Sequence, residues 1–132
     1  MIKISKKLFG VLVGTTILIA GITAFANTGS YYFELYPGAS QYSSSVKKTN
    51  TYQAASANIY DSSNLRAGDQ MYFRVRRTSD DKAMTETRLR DQGGFFTLDY
   101  TSTGVNGTYY RLKGQQGSTP SPSFIVIGDW TP

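Results

Sequence analysis

The chain has 132 residues, with 14 lysines and arginines, 9 aspartates and glutamates, and neither histidine nor cysteine. This composition excludes disulfide bridges and removes the side chains that most often act as catalytic base, nucleophile or zinc ligand. We therefore predict a protein that is not an enzyme and that uses no metal and no cofactor.

The first 26 residues have the pattern of a signal peptide. Three lysines precede an uncharged apolar run over 8–22, and Ala24 and Ala26 give the small-x-small form that signal peptidase recognises. We predict cleavage before Asn27, which makes the protein secreted, either extracellular or associated with the cell wall. An uncleaved anchor is the alternative, because the uncharged run approaches the roughly 20 residues of a membrane span.

Residues 27–132 are predicted to form a single secreted β domain. Without the leader, eleven basic residues face nine acidic ones, a net charge of +2. Such a small excess does not indicate nucleic acid or a membrane as a partner after signal cleavage. Stability has to come from packing and strand pairing, because no disulfide is available.

Short strand-like segments separated by turn residues follow one another along the domain. Alternation of apolar and polar residues marks a half-buried strand, as where Met71, Phe73 and Val75 alternate with Tyr72 and Arg74. About seven such strands and no helical period predict an all-β fold, a single antiparallel β-sandwich or small barrel. The predicted strands are 31–36, a weak one at 41–46, 51–60, three within 68–100, 108–113 and 123–127.

The three central strands are predicted to be consecutive neighbours, joined by tight turns at 79–81 and 91–94. A three-residue first loop places Arg74 opposite Glu86, an attractive pair. A two-residue loop would place Arg88 opposite Phe73 on the apolar face, which disfavours that register.

In the preferred register one face of the hairpin carries Tyr72, Arg74, Arg76, Arg88 and Arg90. Arginine beside exposed tyrosine suits phosphates, sulfated sugars or anionic wall polymers. The alternative is an ordinary solvated face, because nearby acidic residues partly neutralise it. We predict a binding surface for a cell-wall polymer or for another secreted or surface protein, and the oligomeric state stays open.

The carboxylates leave one route to catalysis open. Asp80 and Asp81 with Glu86, or Asp69 with Asp91 or Asp99, could form the carboxylate pair that a glycosidase needs. Asp80 and Asp81 fall in a predicted turn, where aspartate is favoured because it bonds the nearby backbone. The turn interpretation is preferred.

Aromatic residues are frequent along the predicted strands. Trp130 is predicted to fill the core, whereas Tyr32, Tyr36 and Tyr109 are left open between the core and an exposed surface that could stack on sugars or partners.

Four sequence features resemble a family of uncharacterised small secreted proteins of Gram-positive bacteria. They are the leader ending Ala-Phe-Ala, the aromatic strand at 31–36, the YYRLKG segment at 109–114 and the closing IGDWTP at 127–132, a Gly-x-Trp-x-Pro-like end. The resemblance implies secretion and a β-rich fold, and it supplies no functional residues. In size, export and β content the chain also resembles lactococcin-like bacteriocins. A bacteriocin-like antagonist is therefore the alternative function, which inhibition of related strains by purified 27–132 would support.

Overall fold

A computed structural model describes residues 27–117 and 122–132. The predicted leader, with Ala24 and Ala26 at its end, lies outside these residues, and Asn27 is the first residue described. Within the described residues all regular secondary structure is β. The nine strands are β1 (Gly29–Leu35), β2 (Ser40–Tyr42), β3 (Val46–Lys47), β4 (Ala54–Ser63), β5 (Met71–Arg77), β6 (Arg88–Arg90), β7 (Gly94–Asp99), β8 (Tyr109–Gln116) and β9 (Phe124–Thr131).

The strands form two antiparallel sheets that pack face to face. The four-stranded sheet has the order β1-β9-β4-β7, and the five-stranded sheet has the order β2-β8-β5-β6, with the short β3 also paired to β8. This arrangement confirms the predicted antiparallel β-sandwich. It has more strands than expected, because the weak 41–46 segment divides into β2 and β3.

The core lies between the sheets and is built by the predicted alternation. Met71, Phe73 and Val75 are fully buried on β5, while the residues between them are half-buried on the outer face. Phe73 contacts Phe96 of the opposite sheet, with ring centroids 5.0 Å apart. The core residues of the described part lie between Tyr31 and Trp130, and we expect residues 27–132 to fold as one unit.

The last strand is longer than predicted. It continues through Thr131 instead of ending at Ile127, and it alternates between buried and half-buried residues rather than being buried on both faces. Trp130, only 1% exposed, is a core residue as predicted. β4 also runs past residue 60, the predicted end of this strand, because a bulge between Ile59 and Asp61 lets it stay paired with β9.

The prediction of three consecutive neighbouring strands within 68–100 is wrong. β7 belongs to the four-stranded sheet, where it pairs with β4, while β5 and β6 belong to the five-stranded sheet. The turn at 91–94 therefore carries the chain from one sheet to the other. This crossing places Phe96 and Leu98 in the core from the opposite side.

The predicted hairpin register is also wrong. Phe73 pairs with Arg88, the arrangement that the sequence argument disfavoured, whereas nearer the loop Arg76 pairs with Ala83. The register changes between these pairs, so the returning segment holds two extra residues. Met84 is buried there, and Thr85 Oγ1 accepts a hydrogen bond from the Val75 amide at 3.1 Å.

A fully buried lysine lies beside this irregular region. Lys48 Nζ donates hydrogen bonds to Asn50 Oδ1 (2.8 Å) and to the Tyr52 carbonyl oxygen (2.6 Å), and it lies 4.9 Å from the centre of the Tyr100 ring. Among the described residues no carboxylate forms an ion pair with it. Burial lowers the pKa of the Lys48 amine.

This lysine predicts a specific pH dependence of stability. With a lowered pKa, the folded state releases the Lys48 proton before the unfolded chain does, so its contribution to stability increases as pH rises toward about 10.4. We expect the free energy of unfolding of the native protein to rise relative to that of Lys48→Met between about pH 7 and about pH 10.

The comparison cancels the tyrosine ionisations, which both proteins share. Urea unfolding at a series of pH values measures the difference, and Lys47→Met at the exposed neighbouring position is the matched control for loss of one lysine. A difference between native protein and Lys48→Met that stays flat or falls would contradict the prediction.

Candidate functional site

Three of the five predicted binding residues share the outer face of the five-stranded sheet. Tyr72, Arg74 and Arg76 alternate along β5 with the buried Met71, Phe73 and Val75, so their side chains leave the sheet on the side away from the core. The next strand, β8, adds more cations to this face through residues that pair directly with those of β5.

Arg88 and Arg90 do not join this face, because the register places them opposite the inward residues of β5. They lie at the open edge of the sandwich. Arg88 Nη1 donates to the Thr97 carbonyl oxygen at 3.1 Å, and the Arg90 guanidinium lies 4.9 Å from the centre of the Phe96 ring. Long arginine stems can cover apolar surface while the charge stays near solvent. These two arginines therefore cover the side of the core.

Two arginines face each other directly on the outer face and are bridged by one carboxylate. Arg76 pairs with Arg111 across β5 and β8, and Asp81 Oδ1 lies 3.1 Å from both Arg76 Nε and Arg111 Nη2. The Arg111 guanidinium also lies 4.0 Å from the centre of the Tyr42 ring. Hydrogen bonding to the two guanidiniums lowers the pKa of Asp81. The like-charge pair is thus compensated within the protein.

The neighbouring turn carboxylate is held in the same way. Asp80 accepts two hydrogen bonds from Arg77, at 2.9 and 2.6 Å, and this interaction lowers the pKa of Asp80 to about 2. Asp69 accepts a hydrogen bond from the Arg66 amide at 2.7 Å within its own loop. Asp80 and Asp81 are therefore ionised acceptors for arginines near neutral pH. Asp80 also accepts a hydrogen bond from the Lys82 amide, the contact with nearby backbone that the turn interpretation predicted.

A second directly opposed pair of cations has no such compensation. Arg74 pairs with Lys113 across β5 and β8, one step along from the bridged pair. Arg74 Nε donates to the Thr85 carbonyl oxygen at 2.8 Å, and its terminal amino groups make no hydrogen bond within the described residues. Neither cation forms an ion pair with a carboxylate in that part of the chain.

These two cations line a groove of about 320 Å³, named here the Arg74–Lys113 groove. Directly opposed residues of an antiparallel pair have their Cβ atoms about 5 Å apart. Two flexible cationic side chains at that spacing can contact one phosphate or sulfate group together. The residues lining the groove are Tyr72, Phe73, Arg74, Thr87, Lys113 and Gln115.

Sequence reasoning missed Lys113, Gln115 and Thr87 as members of the site. Lys113 lies two residues after Arg111 in the same strand, so the sequence could show that both are on the polar face. The pairing of Lys113 with Arg74 could not be predicted, because β5 and β8 are far apart in the chain. No local sequence pattern reports which strands become neighbours. Thr87 enters the groove through the irregular segment before β6.

The three tyrosines left open by the sequence are all exposed. Tyr109 lies on the five-stranded sheet with 52% of its surface accessible, whereas Tyr32 (59%) lies on the four-stranded sheet and Tyr36 (44%) just after β1. They are therefore surface residues, divided between the two sides of the sandwich.

Other kinds of site find little support in the described residues. Within 27–117 and 122–132 no group of three or more acidic side chains is placed to hold a metal ion. No helix in the same residues is long and apolar enough to cross a membrane.

Comparison with known proteins assigns the chain to no family. No protein-family model matches the chain, and no curated protein sequence matches it significantly. The role of the Arg74–Lys113 groove therefore has to be argued from its geometry and charge.

Proposed function

We propose that this protein is a secreted, non-catalytic binding protein that holds an anionic polymer, such as a phosphate-bearing cell-wall polymer, in the Arg74–Lys113 groove. The observation that carries the proposal is the contrast between two adjacent rows of the sheet. Asp81 bridges the Arg76–Arg111 pair and offsets part of its charge, whereas the Arg74–Lys113 pair forms no ion pair within the described residues. Like charges directly opposite each other cost stability, and a bound anion removes that cost.

The shape of the groove favours a polymer over a small metabolite. Small ligands are usually bound in clefts that bury most of their surface, whereas this groove lies on the outer face of the sheet and is only about half enclosed. Tyr72 beside the cations offers an aromatic face to a sugar ring, and Gln115 and Thr87 offer hydrogen-bonding groups. A chain of sugars and phosphates can use all three kinds of contact.

The test is binding of purified 27–132 to sodium polyphosphate by calorimetry and to isolated cell walls by co-sedimentation, at low and high salt. The double variant Arg74→Gln/Lys113→Gln is expected to bind polyphosphate at least about tenfold more weakly, because it removes two charge-assisted contacts. Binding by the native protein is expected to weaken as salt rises.

The matched control is Arg66→Gln/Lys82→Gln, which removes one arginine and one lysine from the loops at the two ends of β5. This control should bind as the native protein does. Equal losses in both double variants would show that only net charge matters and would contradict a site at the groove, as would native-like binding by Arg74→Gln/Lys113→Gln. Failure to bind either polyanion would reject the proposal and make the growth-inhibition assay the next experiment.

A further inference from the structure

The two sheets of the sandwich carry opposite charge. The four described strands of the four-stranded sheet contain Glu34, Asp61, Asp99 and Asp129 and no basic residue. The strands of the five-stranded sheet contain eight lysines and arginines and no acidic residue. Arg88 and Arg90 lie at the open edge, and Arg76, Arg77 and Arg111 pair with Asp80 or Asp81. The outer-face cations without an ion pair in the described residues are Lys47, Arg74 and Lys113. The net charge of +2 on residues 27–132 therefore conceals two sides of opposite charge.

The acidic side also exposes apolar surface. Tyr32 pairs with Ile127 on the outer face of the four-stranded sheet, and Ile127 is only half-buried. Phe95 at the β7 edge is 66% exposed, and it pairs with Asn58 in the row that also contains Asp129. Exposed aromatic and aliphatic side chains among like charges are typical of a surface that contacts another protein.

The basic side has matching features. Tyr42, Leu89 and Tyr109 are each more than a third exposed on the five-stranded sheet, near the cations Lys47, Arg74 and Lys113. One side of the molecule thus presents exposed aromatic residues with negative charge, and the other presents them with positive charge. Sheets that pack through their faces lie about 10 Å apart, a distance at which such side chains interdigitate.

We propose that the four-stranded sheet of one copy docks on the five-stranded sheet of a second copy, so that the protein associates head to tail. The contact joins two different surfaces and leaves one of each free at the ends of the pair. Association of this type continues beyond a dimer into rings or open chains. The proposal does not depend on polymer binding, although an anionic polymer in the Arg74–Lys113 groove should compete with the second copy.

The test is sedimentation velocity of 27–132 over a wide concentration range at low and high salt. The native protein is expected to form species larger than dimers at low salt and to dissociate at high salt. Two variants reverse one side each: Glu34→Lys/Asp99→Lys on the four-stranded sheet and Arg74→Glu/Lys113→Glu on the five-stranded sheet. Each alone is expected to weaken self-association at least about tenfold.

Mixing the two reversed variants gives the decisive measurement. The four-stranded sheet of Glu34→Lys/Asp99→Lys, which is now basic, then meets the five-stranded sheet of Arg74→Glu/Lys113→Glu, which is now acidic. The two unchanged sheets also carry opposite charges, so association should return. Arg66→Glu/Lys82→Glu has the same net charge as Arg74→Glu/Lys113→Glu and should still associate.

Three results would overturn the head-to-tail proposal. They are a native protein that stays monomeric at low salt, association that survives both reversals, and a mixture that does not recover. The Glu34→Lys/Asp99→Lys variant keeps the groove intact, so it should bind polyphosphate at least as well as the native protein. Its polyphosphate binding therefore tests the proposed function independently of self-association.

Discussion

Replacing Gly128 with alanine is expected to lower the free energy of unfolding by about 3 kcal/mol or more. Gly128 lies in β9 between β1 and β4, where an added Cβ would overlap the carbonyl oxygen of Asn58 and lie 2.7 Å from the Tyr31 hydroxyl. That hydroxyl donates to the same carbonyl at 2.9 Å. The obstacle is therefore backbone, which no side-chain rotation removes.

Urea unfolding followed by the fluorescence of Trp130, the single tryptophan, measures this loss. Gly93→Ala is the matched control, because the three atoms nearest to its added Cβ all belong to Ile59 and the nearest, the carbonyl oxygen, is 3.3 Å away. The control should lose well under half as much stability. A Gly128→Ala variant within about 0.5 kcal/mol of the native protein, the usual range for surface substitutions, would show that the β4 bulge relaxes more easily than the geometry indicates.

Gly114→Ala is expected to cost about 2 kcal/mol for a different reason. Gly114 lies on β8, and an added Cβ would overlap the ring of Phe33, which packs on it from the opposite sheet. Here the obstacle is a side chain, so shortening that side chain should relieve it. We expect Phe33→Leu to recover part of the loss, giving a coupling energy of at least about 0.5 kcal/mol in the double-mutant cycle.

The control cycle combines Gly114→Ala with Phe96→Leu. Phe96 is a buried core phenylalanine that is not among the nearest neighbours of a Cβ at Gly114, so those two losses should add. Additivity in the Phe33 cycle as well would rule out the direct contact as the cause. Denaturant unfolding of the three single and two double variants beside the native protein completes both cycles.

Local alternation predicted much of the fold. Ala55, Ala57 and Ile59 are buried on β4, and Tyr110 and Leu112 are buried on β8, as their period of two indicates. Such a pattern reports which residues of a strand face the core, and this is enough to identify a sandwich. It carries no information about which strands are neighbours.

The errors arose where the alternation is interrupted or where a strand lies at an edge. Met84 and Thr85 are consecutive and both buried, so the register changes within a segment that the sequence presents as a simple hairpin. Arg88 faces inward only because the sandwich is open at its side, where an arginine can reach the Thr97 carbonyl. A rule that keeps charge off the apolar face fails at such an edge.

The sequence placed some residues of the candidate site on one face and missed others. Tyr72, Arg74 and Arg76 follow from the alternation of β5 alone. Lys113 and Asp81 depend on pairing between distant strands and on a loop conformation, with Asp81 at a φ of 59°, and neither can be deduced from spacing. The contrast between a compensated and an uncompensated cation pair therefore became visible only in three dimensions.

The position of β9 has a consequence for the order of folding. β9, the last of the described strands, lies between β1 and β4, so β1 has no neighbour in its sheet until β9 is in place. A chain that emerges from a ribosome or a membrane channel beginning with β1 cannot complete the four-stranded sheet until β9 is free. Assembly from such distant segments is slow, because a long loop must close before its contacts form. Completion of the four-stranded sheet is thus coupled to the arrival of the segment that ends at Thr131.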